Sequence, residues 1–478
     1  MFSFKRLLLL FVICLLVSCK DGWRLPLPFP TPGKQELQVL TRPGPLTYAT
    51  DDNGTISGLE YDLTEAFAQE LGVEVKYLVA PPGELANRLR GYDYHLAAAW
   101  LSPQPTGGIE ASPPVFMSHD VLAQHEASLP LNRLAQLAGK TVHALAGSRQ
   151  AATLHRLAAT LPGLQIIEAP QGDMLDLLEA LGERRIEFVA MDSQMEELAN
   201  QFVPTLRTTL PLGDDAPIVW LLGPSPNPEL QARVDAFILR VQQDGTLARL
   251  EERYFGHVRR LKQGDIEAFL GEIETTLPKL RPHFQAAERL TGLDWRLLAA
   301  LAYQESHWKS DATSPTGVRG IMMLTAETAD RLEVSNRLDA KESILAGARY
   351  LDMLRDMLPA EVHEPDRTWL ALAGYNLGPG HLSTGRSLAR QLKADPDAWY
   401  DMKRILPLLA KPEYYQRMRS GRARGGEAVI LVENIRSYHD ILTRHEAPLM
   451  VAQRATPNPK RATGKTPVKK TAGQRPPR

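Results

Sequence analysis

The first half of the chain alternates between short apolar runs and amphipathic stretches. Residues 37–40 and 73–79 are strand-like, and 59–71 has apolar side chains at the spacing of an amphipathic helix. The order continues with a helix over 85–90 that leads to a strand over 95–100. Because strands that alternate with helices at this spacing form parallel sheet, the pattern predicts an α/β lobe.

A second set of elements repeats this alternation further along the chain. The pattern predicts strands over 141–145, 165–168 and 188–191, helices over 151–161 and 174–181, and a closing helical stretch over 237–254. Two small α/β lobes that follow one another in the sequence indicate a hinged binding module, in which a ligand would lie between the lobes.

The second half of the chain has helical apolar spacing and no convincing run with a period of two. Asp294 is a suitable N-cap for a helix over 295–306, in which Leu298, Leu301 and Glu305 fall on one face. We therefore predict a mainly α domain, with a carboxylate at the end of an apolar stripe.

A shaped loop is expected directly after this helix, because 314–320 contains two glycines and a proline and has no regular period. If Glu305 lies at the floor of a cleft beside this loop, burial raises its pKa, as a general acid near neutral pH requires. The alternative from the residues alone is an exposed glutamate at a helix terminus, and the two interpretations have about equal weight.

Four short motifs in this half resemble, in order, those of soluble-type lytic transglycosylases, which share the goose-lysozyme fold. They are Glu305-Ser306, the loop 314–320, Gly320-Ile321-Met322-Met323 and Ala373-Gly374-Tyr375-Asn376. The resemblance implies that Glu305 is catalytic and that the sugar contacts come from Ser306, Ser314, Met323, Tyr375 and Asn376. Met323 stands where the family usually has a glutamine. Ser306 is also a candidate for orienting Glu305.

The resemblance also implies a reaction on peptidoglycan. Protonated Glu305 would protonate the oxygen between N-acetylmuramic acid and N-acetylglucosamine, and the substrate's acetamido group would stabilise the cationic centre. The carboxylate would then take the proton from the C6 hydroxyl and close a 1,6-anhydro ring without water. Two alternatives remain open: a lysozyme-type hydrolase of the same fold, and a non-catalytic solute-binding lipoprotein that only grips murein.

The N-terminus has the features of a secretory signal over 1–18: Lys5 and Arg6 precede an apolar run that is too short to span a bilayer. Its end resembles the lipobox of bacterial lipoproteins, which implies an acylated Cys19 and a lipidated, proline-rich tether over 19–36. Lys20 replaces the aspartate that retains such lipoproteins in the inner membrane, so we expect the periplasmic face of the outer membrane. The alternative is a plain signal peptide that happens to end near a cysteine.

Residues 37–258 resemble the family-3 periplasmic solute-binding proteins. The resemblance rests on 58–63, on 137–148 with Ser148 at its end, and on 188–192. In amino-acid-binding members, an aspartate at the position of Asp192 holds the ligand's ammonium and an arginine after an earlier strand clamps the carboxylate. That arginine is absent here. We expect a regulatory ligand site that includes Asp192 and Ser148 and takes a muropeptide or another small solute; alternatively, Asp192 is a solvated carboxylate at a strand end.

The full layout resembles the membrane-bound lytic murein transglycosylase F family, including the C-terminal runs 412–415 and 423–438. It predicts a two-lobed α/β periplasmic-binding-protein-like module followed by a mainly α lysozyme-like catalytic domain over 284–447, joined by a linker over 259–283. The tail 448–478 has eight Lys or Arg and no acidic residue, so we expect it to be disordered.

Composition and residue spacing argue against several other functions. A net charge of −1 gives no field that would attract nucleic acid. The histidines show no metal-binding spacing, the mature chain would keep one cysteine, and no glycine-rich phosphate loop follows a strand. We therefore expect no cofactor and no metal, with glycan strands of peptidoglycan and outer-membrane lipid, through Cys19, as the partners.

Overall fold

The computed structural model describes residues 27–449 apart from 51–53, 104–107, 225, 259 and 316. The predicted signal peptide, Cys19, the first part of the tether and the basic tail beyond 449 lie outside the described residues. Within the described part of the chain, no helix is both long and apolar enough to cross a membrane.

In the part that the structure describes, the N-terminal half is built from two mixed sheets, a separate antiparallel pair formed by β2 and β3, and seven α-helices. The strands are β1 Leu37–Thr41, β2 Ala49–Thr50, β3 Ile56–Ser57, β4 Val75–Val79, β5 Leu96–Leu101, β6 Glu110–Ala111, β7 Phe116–Ser118, β8 Asp120–His125, β9 Thr141–Leu145, β10 Gln165–Ala169, β11 Phe188–Asp192, β12 Leu206–Pro211 and β13 Ala216–Leu222. The helices are α1 Leu59–Leu71, α2 Leu85–Arg88, α3 Arg149–Ala158, α4 Met174–Gly182, α5 Met195–Phe202, α6 Pro228–Gln243 and α7 Thr246–Phe255.

The two lobes correspond to the two sheets. The first has the order β4-β1-β5-β13-β6, with β7 also paired to β13, and the second has the order β10-β9-β11-β8-β12. The predicted strands pair in parallel, as β1 does with β4 and β5 and as β9 does with β10 and β11. The sheets are nevertheless mixed, because β13, β8 and β12 pair antiparallel. Strand β13 follows the second lobe in sequence and returns to the first, so the chain crosses between the lobes more than once.

Helix α1 shows how the sequence sets the packing of the first lobe. Leu59, Leu63 and Phe67 recur at intervals of four residues and are completely buried. Phe67 contacts the rings of Trp220 and Phe237, with centroids 5.9 Å and 5.1 Å away. The helix ends where Gly72 adopts the left-handed conformation, at φ 68°.

The C-terminal half is helical, as predicted. Its helices are α8 Gln263–Thr275, α9 Leu277–Thr291, α10 Trp295–Ser306, α11 Ala326–Arg331, α12 Ala340–Asp356, α13 Asp366–Leu377, α14 Pro379–Gln391, α15 Trp399–Ile405, α16 Pro412–Tyr415 and α17 Gly425–His445. Helix α10 is its centre, because the side chains from Trp295 to Tyr303 are all buried. The architecture therefore confirms a two-lobed α/β module followed by a mainly α domain.

The segment 259–283, expected as a linker, contains helix α8 and the first turns of α9. Phe269 of α8 is completely buried and lies 4.4 Å from the ring of Tyr303, 5.5 Å from that of Trp308 and 4.5 Å from that of Tyr438. This apolar contact fixes the segment to the helical domain. The connection between the two halves is therefore packed on the core of the helical domain.

Candidate active site

Helix α10 presents Glu305 in its last turn. Asp294 caps the helix, since its carboxylate accepts a hydrogen bond of 2.8 Å from the amide of Arg296. The helix ends where His307 and Trp308 both have positive φ, at 50° and 58°, and the chain turns back. The indole of Trp308 then donates to the carbonyl of Ala299 at 2.8 Å. These contacts fix the backbone on both sides of the carboxyl group.

The carboxyl group of Glu305 lies in a low-dielectric site that remains partly open. The side chain keeps part of its surface accessible, but burial raises its pKa from 4.5 to about 7. Within the described residues it has no hydrogen-bond or ion-pair partner, and no neighbouring carboxylate contributes to the pKa change. A carboxyl group of this kind holds its proton near neutral pH and is free to donate it to a bound molecule.

Ser306 connects the end of α10 to the turn that carries Met323. Its hydroxyl donates to the carbonyls of Ala302, at 3.1 Å, and Ile321, at 2.8 Å. The side chain is buried, so this hydroxyl is directed at the backbone and holds Glu305 in place through the helix end. Met323 itself is partly exposed and adopts a positive φ of 48°.

The loop before this turn is shaped by Gly320 and Arg337. Gly320 has φ 83°, and a β-carbon there would collide with the carbonyl of Arg337. The guanidinium of Arg337 donates to the carbonyls of Gly317, at 3.1 Å, and Leu324, at 2.9 Å. Ser314 closes the loop by accepting from the amide of Val318 at 3.3 Å. Sequence reasoning missed Arg337, because no motif or period singles it out.

Tyr375 joins the same site from helix α13. Its hydroxyl donates to the carbonyl of Met322 at 2.8 Å, and its ring lies 5.2 Å from that of Tyr350. Burial raises the pKa of Tyr375 far above 10, and the charge of nearby Glu305 raises it further. Asn376 follows with an exposed side chain. The structure thus brings Tyr375 to Glu305 and places Met323 in the turn that Tyr375 contacts.

Of the two predicted ligand residues of the module, Asp192 lies between the lobes and Ser148 lies in the second lobe. Asp192 accepts hydrogen bonds from Trp100 Nε1 at 3.0 Å, Arg149 Nη2 at 2.8 Å and the hydroxyl of Ser118. Ser148 is the N-cap of helix α3 and accepts from the amide of Ala151 at 3.2 Å. The remaining cavity beside Asp192 has a volume of about 40 Å³.

The cleft beside Asp192 is filled by side chains of the protein itself, so this conformation has no room there for an amino acid. Arg149 places its guanidinium where the resemblance puts a ligand's ammonium, and Trp100, at φ 54°, brings its indole across from the first lobe. Sequence spacing gave no sign of this arrangement, because Trp100 and Asp192 are 92 residues apart. Among the described residues, no cluster of three or more His, Cys, Asp or Glu is arranged to hold a metal ion.

Two family models match the two halves of the chain. Residues 37–257 match "Bacterial extracellular solute-binding proteins, family 3", and residues 282–397 match "Transglycosylase SLT domain". Among solved structures, the chain is similar to the ArgBP of T. maritima, with 19% identity, a TM-score of 0.42 and coverage of 46% of this chain and 95% of that one.

Curated relatives cover nearly the whole chain. It is 42% identical over 452 residues to a membrane-bound lytic murein transglycosylase F of Nitrosospira multiformis, covering 93% of this chain and 94% of that protein. The corresponding protein of Thiobacillus denitrificans is 41% identical over 440 residues, with 91% and 93% covered. Because these relatives are at least 41% identical to the chain over more than 90% of its length, the chain belongs to the membrane-bound lytic murein transglycosylase F family.

Proposed function

We propose that this lytic murein transglycosylase cleaves the β-1,4 bond between N-acetylmuramic acid and N-acetylglucosamine without water and releases 1,6-anhydromuramoyl products. Glu305 is the acid that protonates the glycosidic oxygen and then the base that takes the proton of the C6 hydroxyl. Both steps involve one carboxyl group, so the chemistry needs a pKa close to the working pH.

The observation that carries the proposal is the isolation of Glu305. Hydrolytic glycosidases of the two-carboxylate type place a second carboxyl group across the scissile bond. Here burial alone accounts for the raised pKa of Glu305, and no second carboxylate acts on it within the described residues. A lone protonated carboxyl group supports a mechanism in which the substrate supplies its own nucleophile. Met323, Tyr375 and Asn376, with the loop at Ser314, are the groups we expect along the glycan.

In the experiment, purified murein sacculi are digested with the chain that lacks its proposed signal peptide and lipid anchor (the soluble part of the chain). The fragments are then analysed by mass spectrometry. We expect fragments that are lighter by one water than those of a hydrolase. Glu305→Gln keeps the shape of the side chain and removes its proton, so release of fragments should be lost almost completely. The exposed Glu361→Gln is the matched control and should act like the wild type. Substantial release by Glu305→Gln would refute the assignment.

We further propose that a muropeptide or small solute regulates the enzyme from the cleft at Asp192 and Ser148, and that acylated Cys19 anchors the chain to the outer membrane. A ligand would have to displace Trp100 and Arg149 from Asp192. A ligand of the module should raise its melting temperature increasingly as its concentration exceeds the Kd, and should change turnover; the absence of both effects for every muropeptide tested would refute regulation. Cys19→Ala should release the chain from membranes; retention there would refute the anchor.

A further inference from the structure

The side chain of Arg42 lies at the cleft of the two-lobed module. Arg42 directly follows strand β1 of the first lobe, and it lines the cavity that Asp192 lines from the second lobe. Its backbone is fixed, because its carbonyl accepts a hydrogen bond of 2.7 Å from the hydroxyl of Thr47. Ligands of α/β folds bind at the carboxyl ends of the parallel strands, and Arg42 lies at such an end.

The outer edge of the Arg42 guanidinium is open to this cavity. The side chain keeps part of its surface accessible, and only its Nε is buried without a hydrogen-bond partner. The described residues supply no hydrogen bond and no ion pair to Nη1 or Nη2 either, and neither of these atoms is closed off as Nε is. A molecule in the cavity can therefore reach two unpaired donors. Because charged groups in such places are normally paired, the missing partner is an anion.

The carboxyl groups around Arg42 do not supply this anion. Burial lowers the pKa of Arg42, although the charges of Glu60, Asp192 and Asp173 oppose the change. Burial raises the pKa of Glu60 to about 8, so Glu60 is protonated near neutral pH. Asp173 is occupied as the N-cap of helix α4. Asp192 already accepts hydrogen bonds from four donors, which belong to Trp100, Ser118, Arg149 and Gln194.

A carboxylate gains more from this cleft than an ammonium group does. An ammonium at Asp192 would replace the guanidinium of Arg149, which lies 2.8 Å from Asp192 and is also bonded to Asp120 at 2.9 Å. That exchange substitutes one cation for another. A carboxylate at Arg42 instead forms charge-assisted hydrogen bonds that the free protein lacks, and the two Nη groups match the two carboxylate oxygens.

We propose that Arg42 is the carboxylate-binding residue of the module and that the ligand of the module carries a free carboxylate. Arg42 takes the role of the arginine that amino-acid-binding relatives have after another strand and that this chain lacks. The cavity of about 40 Å³ admits roughly three waters, about the size of a carboxylate group, so the rest of the ligand enters as Trp100 and Arg149 move away from Asp192. The inference deepens the proposed regulatory site and rests on it.

Two probes that differ only in the terminal group test the assignment: N-acetylmuramoyl-alanine and its C-terminal amide, each titrated by calorimetry into the soluble part of the chain. We expect the carboxylate to bind at least about tenfold more tightly than the amide. Free alanine distinguishes a free amino acid from an acylated one as the source of the carboxylate, and it should bind at least about tenfold more weakly than N-acetylmuramoyl-alanine. Equal affinities of the two probes, no binding of the carboxylate up to its solubility limit, or tighter binding of alanine would overturn the proposal.

Variants of Arg42 locate the carboxylate. Arg42→Met keeps a long side chain and removes the charge, so the carboxylate should lose at least about tenfold in affinity while the amide is unaffected. Because Arg42 has no partner in the free protein, the melting temperature of the variant should not fall. Arg42→Lys keeps the charge and should retain part of the preference. Arg90→Met, at an exposed position of the same lobe, should match the wild type.

Two results with Arg42→Met would overturn the proposal. One is an undiminished preference for the carboxylate, which would place the anion elsewhere in the module. The other is a lowered melting temperature, which would show that Arg42 is a structural ion-pair partner in the free protein.

Murein release separates this inference from the proposed regulation. It is measured with and without N-acetylmuramoyl-alanine, in the wild type and in Arg42→Met. If the probe binds as predicted and leaves release unchanged, the regulation fails and the assignment of Arg42 stands. If the probe alters release equally in both proteins, the assignment fails and the regulation stands.

Discussion

Replacing Glu305, the proposed catalytic acid, should stabilise the protein at high pH while abolishing its activity. Burial raises the pKa of Glu305 from 4.5 to about 7, so between these values the folded state holds a proton that the unfolded chain has lost. The free energy of unfolding therefore falls as the pH rises through this window. The difference corresponds to about 3 kcal/mol, fully expressed above pH 7, where the buried carboxylate is ionised.

The variant Glu305→Gln removes this cost because glutamine does not ionise. At pH 8 the variant should be more stable than the wild type by up to about 3 kcal/mol, and at pH 5 by less than about 1 kcal/mol. For a domain of this size, 3 kcal/mol raises the melting temperature by about 6–12 °C. Differential scanning calorimetry of the soluble part at both pH values measures the difference for the transition of the catalytic domain.

The comparison includes the exposed Glu361→Gln, which should show the same melting temperature as the wild type at both pH values. If Glu305→Gln has the same stability advantage at pH 5 and pH 8, the carboxyl group does not titrate in the window that burial sets. If the variant is less stable than the wild type at pH 8, Glu305 is an ion-paired or solvated group, and the argument for a protonated acid in the resting enzyme fails.

Three further predictions concern the site. Release of soluble fragments should fall about tenfold between pH 6 and pH 8, as Glu305 loses its proton; a rate that rises over this range argues against an acid step. Gly320→Ala should destabilise the domain by at least about 1–2 kcal/mol in thermal unfolding, because of its left-handed φ, whereas Gly264→Ala in an open helical position should be neutral or stabilising. Tyr375→Phe leaves the carbonyl of Met322 without its donor, so it should cost about 1–3 kcal/mol in unfolding and slow turnover; wild-type values in both would contradict the contact.

Local sequence patterns were sufficient to predict those elements whose apolar side chains follow a single helical or strand period. The helix expected over 59–71 forms over Leu59–Leu71, and the strand over 141–145 forms over Thr141–Leu145, because each has a continuous buried face and a clear end. Glu305 could be singled out for the same reason, as a carboxylate that ends an apolar helix face.

Features that depend on contacts between residues far apart in the sequence could not be predicted. The antiparallel strands β8, β12 and β13 arise because the chain passes back between the lobes, which no local period records. The contact of Trp100 with Asp192 joins residues 92 positions apart, and Arg337 reaches the loop at Gly317 across 20 positions.

The most direct test of the mechanism is digestion of murein in water labelled with heavy oxygen, followed by mass spectrometry of the muramic acid ends. If Glu305 takes the proton of the C6 hydroxyl, so that the C6 oxygen closes an anhydro ring, the new ends will carry no label and will be lighter by one water than hydrolysed ends. Ends that carry the label and the full mass of a reducing sugar would contradict the account and identify the enzyme as a hydrolase.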